Sequence, residues 1–416
     1  MDALRIDAAG PGVRDDELAA LRDGVEARLP AFLEDLARLV NIDCGSYTKA
    51  GVDEVGRWTA ARLRKLGAEV AVHPNKQLGD TVVGVFDGAR TGGPRLLLIG
   101  HMDTVFEPGT AAERPFRIEN GRAYGPGVTD MKSGLLAGLY AIDALEALLA
   151  GGEEPLPFKR LTFVANPDEE IGSPASTPVI RELSRDADAS FVLECARANG
   201  DIVSSRKGIV DLRVTVHGRA AHAGVEPEKG RNAILEAARL VEAIQALNGR
   251  WPGVTANVGV IRGGTRPNVV PSEAELEVDL RAVARDDQVA AETAVRELAR
   301  NPSVSDTTID VTEVARHWPM EKLVRSGRLV EHARALAVRL GFPLNDAATG
   351  GASDANTTAG MGVPSLDGLG PIGGNDHAPE EYLEVDSIVP RTTLLAGLLL
   401  ATARDPVIAD WRDSRP

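Results

Sequence analysis

The stretch RLLLIGHMDTV, residues 95–105, joins a continuous apolar run to a histidine and an aspartate that follow it directly. The run Leu96–Ile99 does not alternate with polar residues, which is typical of a strand buried on both faces of its sheet. Helical patterns, notably 132–150, separate this run from others of the same kind. The layout predicts an α/β fold with helices on both sides of a mostly parallel central sheet. The similar runs are Val82–Val85, Leu161–Ala165 and Phe191–Leu193.

A second pattern begins near Gly208. Apolar and polar residues alternate over 210–216 and again over 273–280, which indicates antiparallel strands with one solvated face. Two amphipathic helices are predicted in the same segment, at 231–247 and 286–299. The resulting order of strand, helix, strand, strand, helix, strand matches a ferredoxin-like unit. We therefore expect a separate α+β domain inserted into the first one.

Composition limits the classes of partner. The chain has 416 residues, 46 basic against 61 acidic, and a net charge of −15, which argues against nucleic acids and anionic membranes. With only Cys44 and Cys195, no disulfide framework is expected. The first residues do not resemble a signal peptide, and the apolar stretches 134–150 and 394–402 are too short or too charged to predict membrane spans. These features predict a soluble, cytoplasmic protein that tolerates bound cations.

Residues suited to metal binding follow three of the predicted buried strands. His101 and Asp103 follow the first strand, the acidic stretch NPDEE at 166–170 follows the second, and Glu194 follows the third. Functional sites in open α/β sheets form at the carboxyl ends of the strands, so these side chains are expected to meet there. Two more candidates, Asp130 and His377, lie in glycine-rich loops.

This set of side chains predicts the kind of metal. Imidazoles and carboxylates without a thiolate pair suit zinc or another borderline divalent ion. One ion rarely needs two histidines and three or four carboxylates. Two ions about 3.5–4 Å apart that share a bridging carboxylate would use all of these side chains.

Eight motifs, in order along the chain, resemble those of a known enzyme family. The resemblance is to the two-zinc metallopeptidases, which include glutamate carboxypeptidase, acetylornithine deacetylase, succinyl-diaminopimelate desuccinylase and aminoacylase. It extends from about residue 30 to residue 405. The motifs are GHMDTV, GPGVTDMKSG, NPDEEIGS, VLE, GRAAHAG, GGTRPNVVP, GGASDAN and GNDHAPEEY.

The resemblance implies roles for the candidate metal ligands and for the acidic residues beside them. His101 and Glu194 would hold one zinc, Glu170 and His377 the other, and Asp130 would bridge the two ions before a cis peptide bond to Met131. Cobalt or manganese could substitute for zinc. Glu169 corresponds to the general base and Asp103 to the residue that steadies His101. Asp168 receives no role and is interpreted as a solvated or helix-capping carboxylate.

The resemblance also implies roles outside the metal ligands. His222 would reach from one subunit into the active site of the other and stabilise the oxyanion. The substrate-binding positions would be Asn268, Arg281, Arg316, Gly350 and Gly351. The implied domains are a zinc-aminopeptidase-like catalytic domain, 1–207 and 316–416, and an inserted dimerisation or lid domain, 208–315. The implied assembly is a homodimer through the inserted domain, with the predicted helix at 231–247 and an exposed edge strand at 210–216 carrying the contact.

Several functions remain open at this stage. The first is a carboxypeptidase that cleaves an amide bond and releases a free amino acid from a small substrate, and the second is an N-acyl-amino-acid deacylase. A metal-binding homologue without catalysis would have no need of Glu169, and a thiol hydrolase would use Cys195. The remaining histidines, His73, His217 and His332, are interpreted as surface residues.

Overall fold

The computed structural model describes residues 12–88, 92–150, 156–409 and 411–414. Its described residues form two compact units. The first unit comprises those up to Ser204, Lys322–Ala348 and those from Ser353 onward; the second comprises Ser205–Glu321 and Thr349–Ala352. The predicted domain bounds, at 208 and 315, differ from these by three and six residues, and the roles of the two domains stay predictions.

The secondary structure is as follows. The helices are α1 (Asp15–Val40), α2 (Lys49–Lys65), α3 (Thr110–Glu113), α4 (Ser133–Ala150), α5 (Thr177–Ser184), α6 (Ala233–Gln245), α7 (Arg285–Arg300), α8 (Val324–Leu340), α9 (Asp354–Gly360) and α10 (Ile388–Arg404). The strands are β1 (Glu69–His73), β2 (Thr81–Asp87), β3 (Arg95–His101), β4 (Arg117–Glu119), β5 (Arg122–Tyr124), β6 (Arg160–Asn166), β7 (Ala189–Val192), β8 (Ile202–Arg206), β9 (Gly208–His217), β10 (Thr255–Gly263), β11 (Glu273–Ala282), β12 (Thr308–His317), β13 (Asp346–Thr349), β14 (Ser365–Leu366), β15 (Gly373–Gly374) and β16 (Tyr382–Glu384).

A six-stranded sheet forms the centre of the first unit, in the order β1-β2-β6-β3-β7-β14. The neighbours from β6 to β14 run parallel, whereas β2 is antiparallel to both β1 and β6. Three of the four predicted apolar runs lie wholly within its strands, and the fourth, Phe191–Leu193, extends one residue past β7. The prediction of an α/β fold with a mostly parallel sheet is confirmed.

Helix α4 directly follows the loop that contains Asp130, and it lies in the core of the first unit. It is apolar on all sides and its side chains are mostly buried, and its Asp143 is paired with Arg28 and Arg62. A Cβ atom at Gly134 would lie only 1.8 Å from the carbonyl oxygen of Leu193. Glycine therefore lets the start of α4 approach the end of β7 closely.

Two helical stretches in the first unit are long enough and apolar enough to cross a membrane, judged by length and composition alone. They are Val128–Ala150 and Val385–Arg404, and in their most apolar windows 72% and 78% of the residues are buried inside the protein. Packing within the core accounts for their apolar character.

The second unit contains a four-stranded antiparallel sheet in the order β10-β11-β9-β12, with α6 and α7 packed against it. The chain order of these elements is the predicted one of a ferredoxin-like unit. One expectation is wrong: the strand over 210–216 is not an edge strand, because β9 pairs with β11 on one side and with β12 on the other. The edges of this sheet are β10 and β12.

A buried ion cluster fixes the end of α10 in the first unit. Asp405 accepts hydrogen bonds from His332 Nε2 at 2.7 Å and from both Nε and Nη2 of Arg328, at 2.5 and 3.0 Å. His332 is 3% exposed, so its interpretation as a surface residue is wrong. Burial alone would raise the pKa of Asp405, but these hydrogen bonds hold it below its usual value.

We expect Asp405→Asn to destabilise the first unit by about 3 kcal/mol, because it leaves the mostly buried guanidinium of Arg328 without its carboxylate. Thermal and denaturant unfolding would measure the loss. The control is Asp413→Asn, whose exposed ion pair with Arg412 is worth about 0.5 kcal/mol or less. The difference between wild type and Asp405→Asn should shrink as the pH falls below about 4, where the unfolded carboxyl takes up its proton. Equal stability of the two variants at neutral pH would contradict this account.

Candidate metal centre

The ends of the central strands bring the first candidates together. His101 is the last residue of β3 and lies opposite Asn166, the last residue of β6. Glu194 follows β7, two residues after that strand ends. The acidic pair Glu169 and Glu170 forms a short 3₁₀ turn just after β6. The sheet thus delivers these side chains to one edge.

The carboxylate of Asp130 lies between two imidazoles. Its Oδ1 is 3.0 Å from His101 Nε2, and its Oδ2 is 3.1 Å from His377 Nε2. Each histidine has a second carboxylate neighbour: Glu194 Oε1 lies 3.7 Å from His101 Nε2, and Glu170 Oε2 lies 3.1 Å from His377 Nε2. This gives two groups of ligand atoms that share one carboxylate, the arrangement that a pair of divalent ions requires.

Asp103 supports the first group from behind. His101 Nδ1 lies 3.0 Å from the backbone oxygen of Asp103 and 3.4 Å from its carboxylate. A hydrogen bond to either acceptor places the proton on Nδ1 and leaves Nε2 free for a metal. The Asp103 carboxylate also accepts hydrogen bonds from the Ser46 hydroxyl and from the backbone N–H groups of Glu169 and Glu170, at 2.6, 3.1 and 3.2 Å.

A carboxylate that the sequence analysis missed holds the Asp130 loop. The buried Glu381 accepts hydrogen bonds from the backbone N–H groups of Gly127, Thr129 and Asp130, at 2.8 to 3.0 Å. Burial raises its pKa to about 7 despite these bonds. In the sequence, only the position of Glu381 in the motif GNDHAPEEY pointed to a functional role. The peptide bond between Asp130 and Met131 is cis.

The electrostatics of the cluster favour a cation. Burial and neighbouring carboxylates raise the pKa values of Glu169 and Glu194 well above their usual range. Hydrogen bonds to Asp130 and Glu170 raise the pKa of His377 to about 11. Four carboxylates share this space with two imidazoles, and divalent ions would supply the missing positive charge. The residues present therefore fit a metal centre.

Cys195 is unsuited to the role of a nucleophile. It is 4% exposed, and its Sγ lies 3.7 Å from a carboxylate oxygen of Asp376. Burial, followed by the charge of Asp376, raises the pKa of the thiol well above its usual value. A reactive thiolate needs the opposite environment.

The remaining candidates lie in the second unit. The exposed His222 forms an isolated β-bridge with Val269. The backbone N–H of Ala223 donates to the carbonyl of Asn268 at 3.0 Å, so His222 and Asn268 are neighbours. Arg281 is paired with Asp279, and its Nη1 donates to the carbonyl of Gly350 at 3.0 Å.

Two further substrate-binding candidates in this unit already have partners. Arg316 is paired with the carboxylates of Glu292 and Glu313. The carbonyl of Gly351 accepts a hydrogen bond from Arg206 at 3.1 Å.

Comparison with known proteins identifies the family. The model of peptidase family M20/M25/M40 matches residues 97–401, which is more than half of the chain. The chain belongs to this peptidase family. The predicted resemblance to the family that includes glutamate carboxypeptidase, acetylornithine deacetylase and succinyl-diaminopimelate desuccinylase is confirmed. The protein is a metal-dependent hydrolase of the peptidase and amidohydrolase type.

Relatives within the M20 family and solved structures agree with this assignment. Carboxypeptidase G2 of Pseudomonas sp. (strain RS-16) is 32% identical over 377 residues, covering 89% of either chain. Succinyl-diaminopimelate desuccinylase of Stenotrophomonas maltophilia (strain R551-3) is 27% identical over 383 residues, covering 85% of this chain and 96% of the relative. Aminopeptidase PepT of Bacillus cereus has the same fold, with a TM-score of 0.72, 21% identity, and coverage of 94% of this chain and 100% of PepT.

We expect Glu381→Gln to weaken metal binding by about 10- to 100-fold, because one amide oxygen cannot replace a carboxylate that orders three N–H groups of the Asp130 loop. Competition with a chromophoric chelator would measure the affinity. Its neighbour Glu380 is exposed, so Glu380→Gln serves as the matched control and should bind metal as the wild type does. Equal affinities in the two variants would show that Glu381 does not order the loop.

Proposed function

We propose that the protein is a two-zinc carboxypeptidase that cleaves an amide bond and releases a free amino acid. The observation that carries this proposal is the single carboxylate of Asp130 between His101 and His377, with Glu169 beside the same cluster. Two ions at this position, zinc or its substitutes cobalt and manganese, would be held by His101, Asp130, Glu170, Glu194 and His377. We also propose a cytoplasmic location, which the chain's acidic composition supports.

Each of the chain's own groups has a task in this reaction. When bound, the two ions would supply Lewis-acid polarisation of the substrate carbonyl and lower the pKa of a water molecule. Glu169, which lies beside the ligands His101 and Glu194, would take the proton of the attacking water and deliver it to the leaving amine. Asp103 keeps both His101 and the Glu169 turn in place through the contacts described above.

The alternative within the same class is an N-acyl-amino-acid deacylase. The similarity to a desuccinylase supports it, but that relative is less similar than carboxypeptidase G2 is. A metal-binding homologue without catalysis is disfavoured because it has no use for an acid held among the ligands, as Glu169 is. A screen of dipeptides and N-acyl amino acids with zinc-loaded protein would separate the carboxypeptidase from the deacylase.

We expect Glu169→Gln to retain about two divalent ions per chain and to lose at least about 10²- to 10⁴-fold in turnover, the usual contribution of general acid–base assistance. Elemental analysis and hydrolysis assays would measure the two properties on the same preparations. Chelation should abolish the activity of the wild type, and added zinc should restore it. A variant that keeps a tenth of wild-type turnover would show that another residue is the base.

The assembly we propose is a homodimer through the second unit, with His222 completing the site of the partner subunit. The contact surface is revised to α6 and the edge strand β10. Both carry exposed apolar side chains: Ile234 and Leu235 on α6 are 39% and 45% exposed, and Ile261 on β10 is 50% exposed. An unpaired edge beside an apolar helix surface suits pairing with a two-fold mate. The substrate roles of Asn268, Arg281, Arg316, Gly350 and Gly351 belong to the same proposal.

We expect His222→Ala to lose about 10²- to 10³-fold in turnover while it keeps its metal, because it lacks one oxyanion donor. A mixture of His222→Ala with Glu169→Gln should then regain activity. In a random 1:1 mixture half of the dimers are mixed, and each has one intact site of two, so about a quarter of wild-type activity should return. Mass spectrometry of differently tagged subunits would verify exchange. Complete exchange without recovery would show that His222 does not act across the dimer.

A further inference from the structure

A buried carboxylate lies behind the turn that carries Glu169 and Glu170. It belongs to Asp354, the first residue of α9, which is 3% exposed. Its Oδ2 accepts a hydrogen bond from Asn166 Nδ2 at 2.5 Å, and its Oδ1 accepts one from the Ser173 hydroxyl at 2.7 Å. Asn166 precedes the acidic turn and Ser173 follows it. Asp354 therefore holds both ends of the turn from an element almost 200 residues away in sequence.

The hydrogen bonds continue through the rest of the segment. Asn166 Oδ1 accepts from the N–H of Asp168 and from the Ser176 hydroxyl, at 2.9 and 2.8 Å. Asp168 accepts from the N–H of Ala175 at 2.5 Å, and its Oδ1 lies 2.6 Å from the Ser176 hydroxyl, whose single proton is shared between Asp168 and Asn166. Asp168 is fully buried, so its interpretation as a solvated residue is wrong, and its carboxylate binds groups that precede α5 rather than N–H groups of the first helical turn.

These contacts leave the turn with two supports. On one side, Asp103 accepts the N–H groups of Glu169 and Glu170. On the other side, Asp354 binds Asn166 and Ser173. Ser173 has a φ of 58°, a left-handed conformation that a residue with a Cβ rarely adopts without support. The bond from its hydroxyl to Asp354 provides such a support.

Asp354 is thereby distinguished from the metal ligands. Both of its oxygens face donors within the protein, Asn166 and Ser173, and it belongs to neither group of His, Asp and Glu atoms that could hold an ion. A direct role in binding or proton transfer would require it to give up these bonds.

We propose that Asp354 is a positioning residue, which sets the placement of the general base Glu169 and the metal ligand Glu170 through Asn166 and Ser173. This inference rests on the proposed function, since it assumes that Glu169 acts on the substrate. A displacement of about 1 Å at a reacting group can cost about 100-fold in rate. The frame made by Asp354, Asn166 and Ser173 therefore affects turnover more than it affects substrate binding.

An exchange of the two side chains tests the proposal. Asp354→Asn leaves one oxygen for two donors, so its new NH₂ faces either the NH₂ of Asn166 or the hydroxyl of Ser173, whereas Asn166→Asp places one carboxylate against another. Each single variant should lose about 10²-fold in kcat at saturating zinc, with KM nearly unchanged. The double variant, with the two side chains exchanged, restores a donor opposite an acceptor at the same total charge. It should recover most of the lost kcat, which a general loss of stability would not allow.

Two further variants keep the test decisive. Ser173→Ala removes a single hydroxyl, so it should fold even if the amide and acid variants do not, and should lose roughly 10-fold in kcat. Asp405→Asn, also a change of a buried carboxylate, should lower the unfolding temperature and leave kcat intact. A wild-type kcat in folded Asp354→Asn, or a double variant no better than either single one, would overturn the proposal.

A second readout separates this inference from the proposed function. The same frame places Glu170, so Asp354→Asn should also bind zinc about 10- to 100-fold more weakly than the wild type. Chelator competition measures this without any substrate. If the wild type hydrolyses no amide but the zinc affinity falls as expected, the proposed function fails and the positioning role of Asp354 toward Glu170 stands.

Discussion

The whole site depends on one carboxylate, Asp130, that lies within about 3 Å of two imidazoles at the same time. His101 comes from the end of a central strand, Asp130 from the loop before α4, and His377 from a loop near the end of the chain. No local pattern can bring these three together. The fold must fix each of them separately, and small errors in any one would separate the two ligand groups.

The chain meets this requirement by binding each ligand segment to a buried acceptor. Asp103 holds the ring of His101 and the front of the acidic turn, Glu381 holds the N–H groups of the Asp130 loop, and Asp354 holds the back of the turn. Carboxylates suit this task because each can accept two or more hydrogen bonds in a fixed geometry. Their burial costs free energy, and the donors of the backbone and of neighbouring side chains offset much of it.

Part of this could be predicted from the sequence, for physical reasons that differ between residues. Buried parallel strands produce continuous apolar runs, so the ends of β3, β6 and β7, and with them His101 and Glu194, could be located. Glu381 and Asp354 were missed because their partners are backbone, amide or hydroxyl groups far away in the chain, and such bonds leave no periodic pattern. The lateral order of the second sheet was also beyond the sequence, because alternation shows that β9 has a buried face but not whether it lies at an edge.

The part of the chain that follows the second unit supplies side chains that complete the candidate metal centre. His377, Glu381 and Asp354 all follow the second unit in sequence, yet they bind residues that precede it. The buried Arg391 helps to hold this returning segment: its guanidinium donates to the carbonyls of Gly368 and Gly370, and burial lowers its pKa only to about 10, so it stays charged at neutral pH. The ligand set exists only when the first unit is fully assembled. Metal binding would therefore stabilise the folded first unit over states in which only its early or only its late part is folded, because such states present only part of the ligand set.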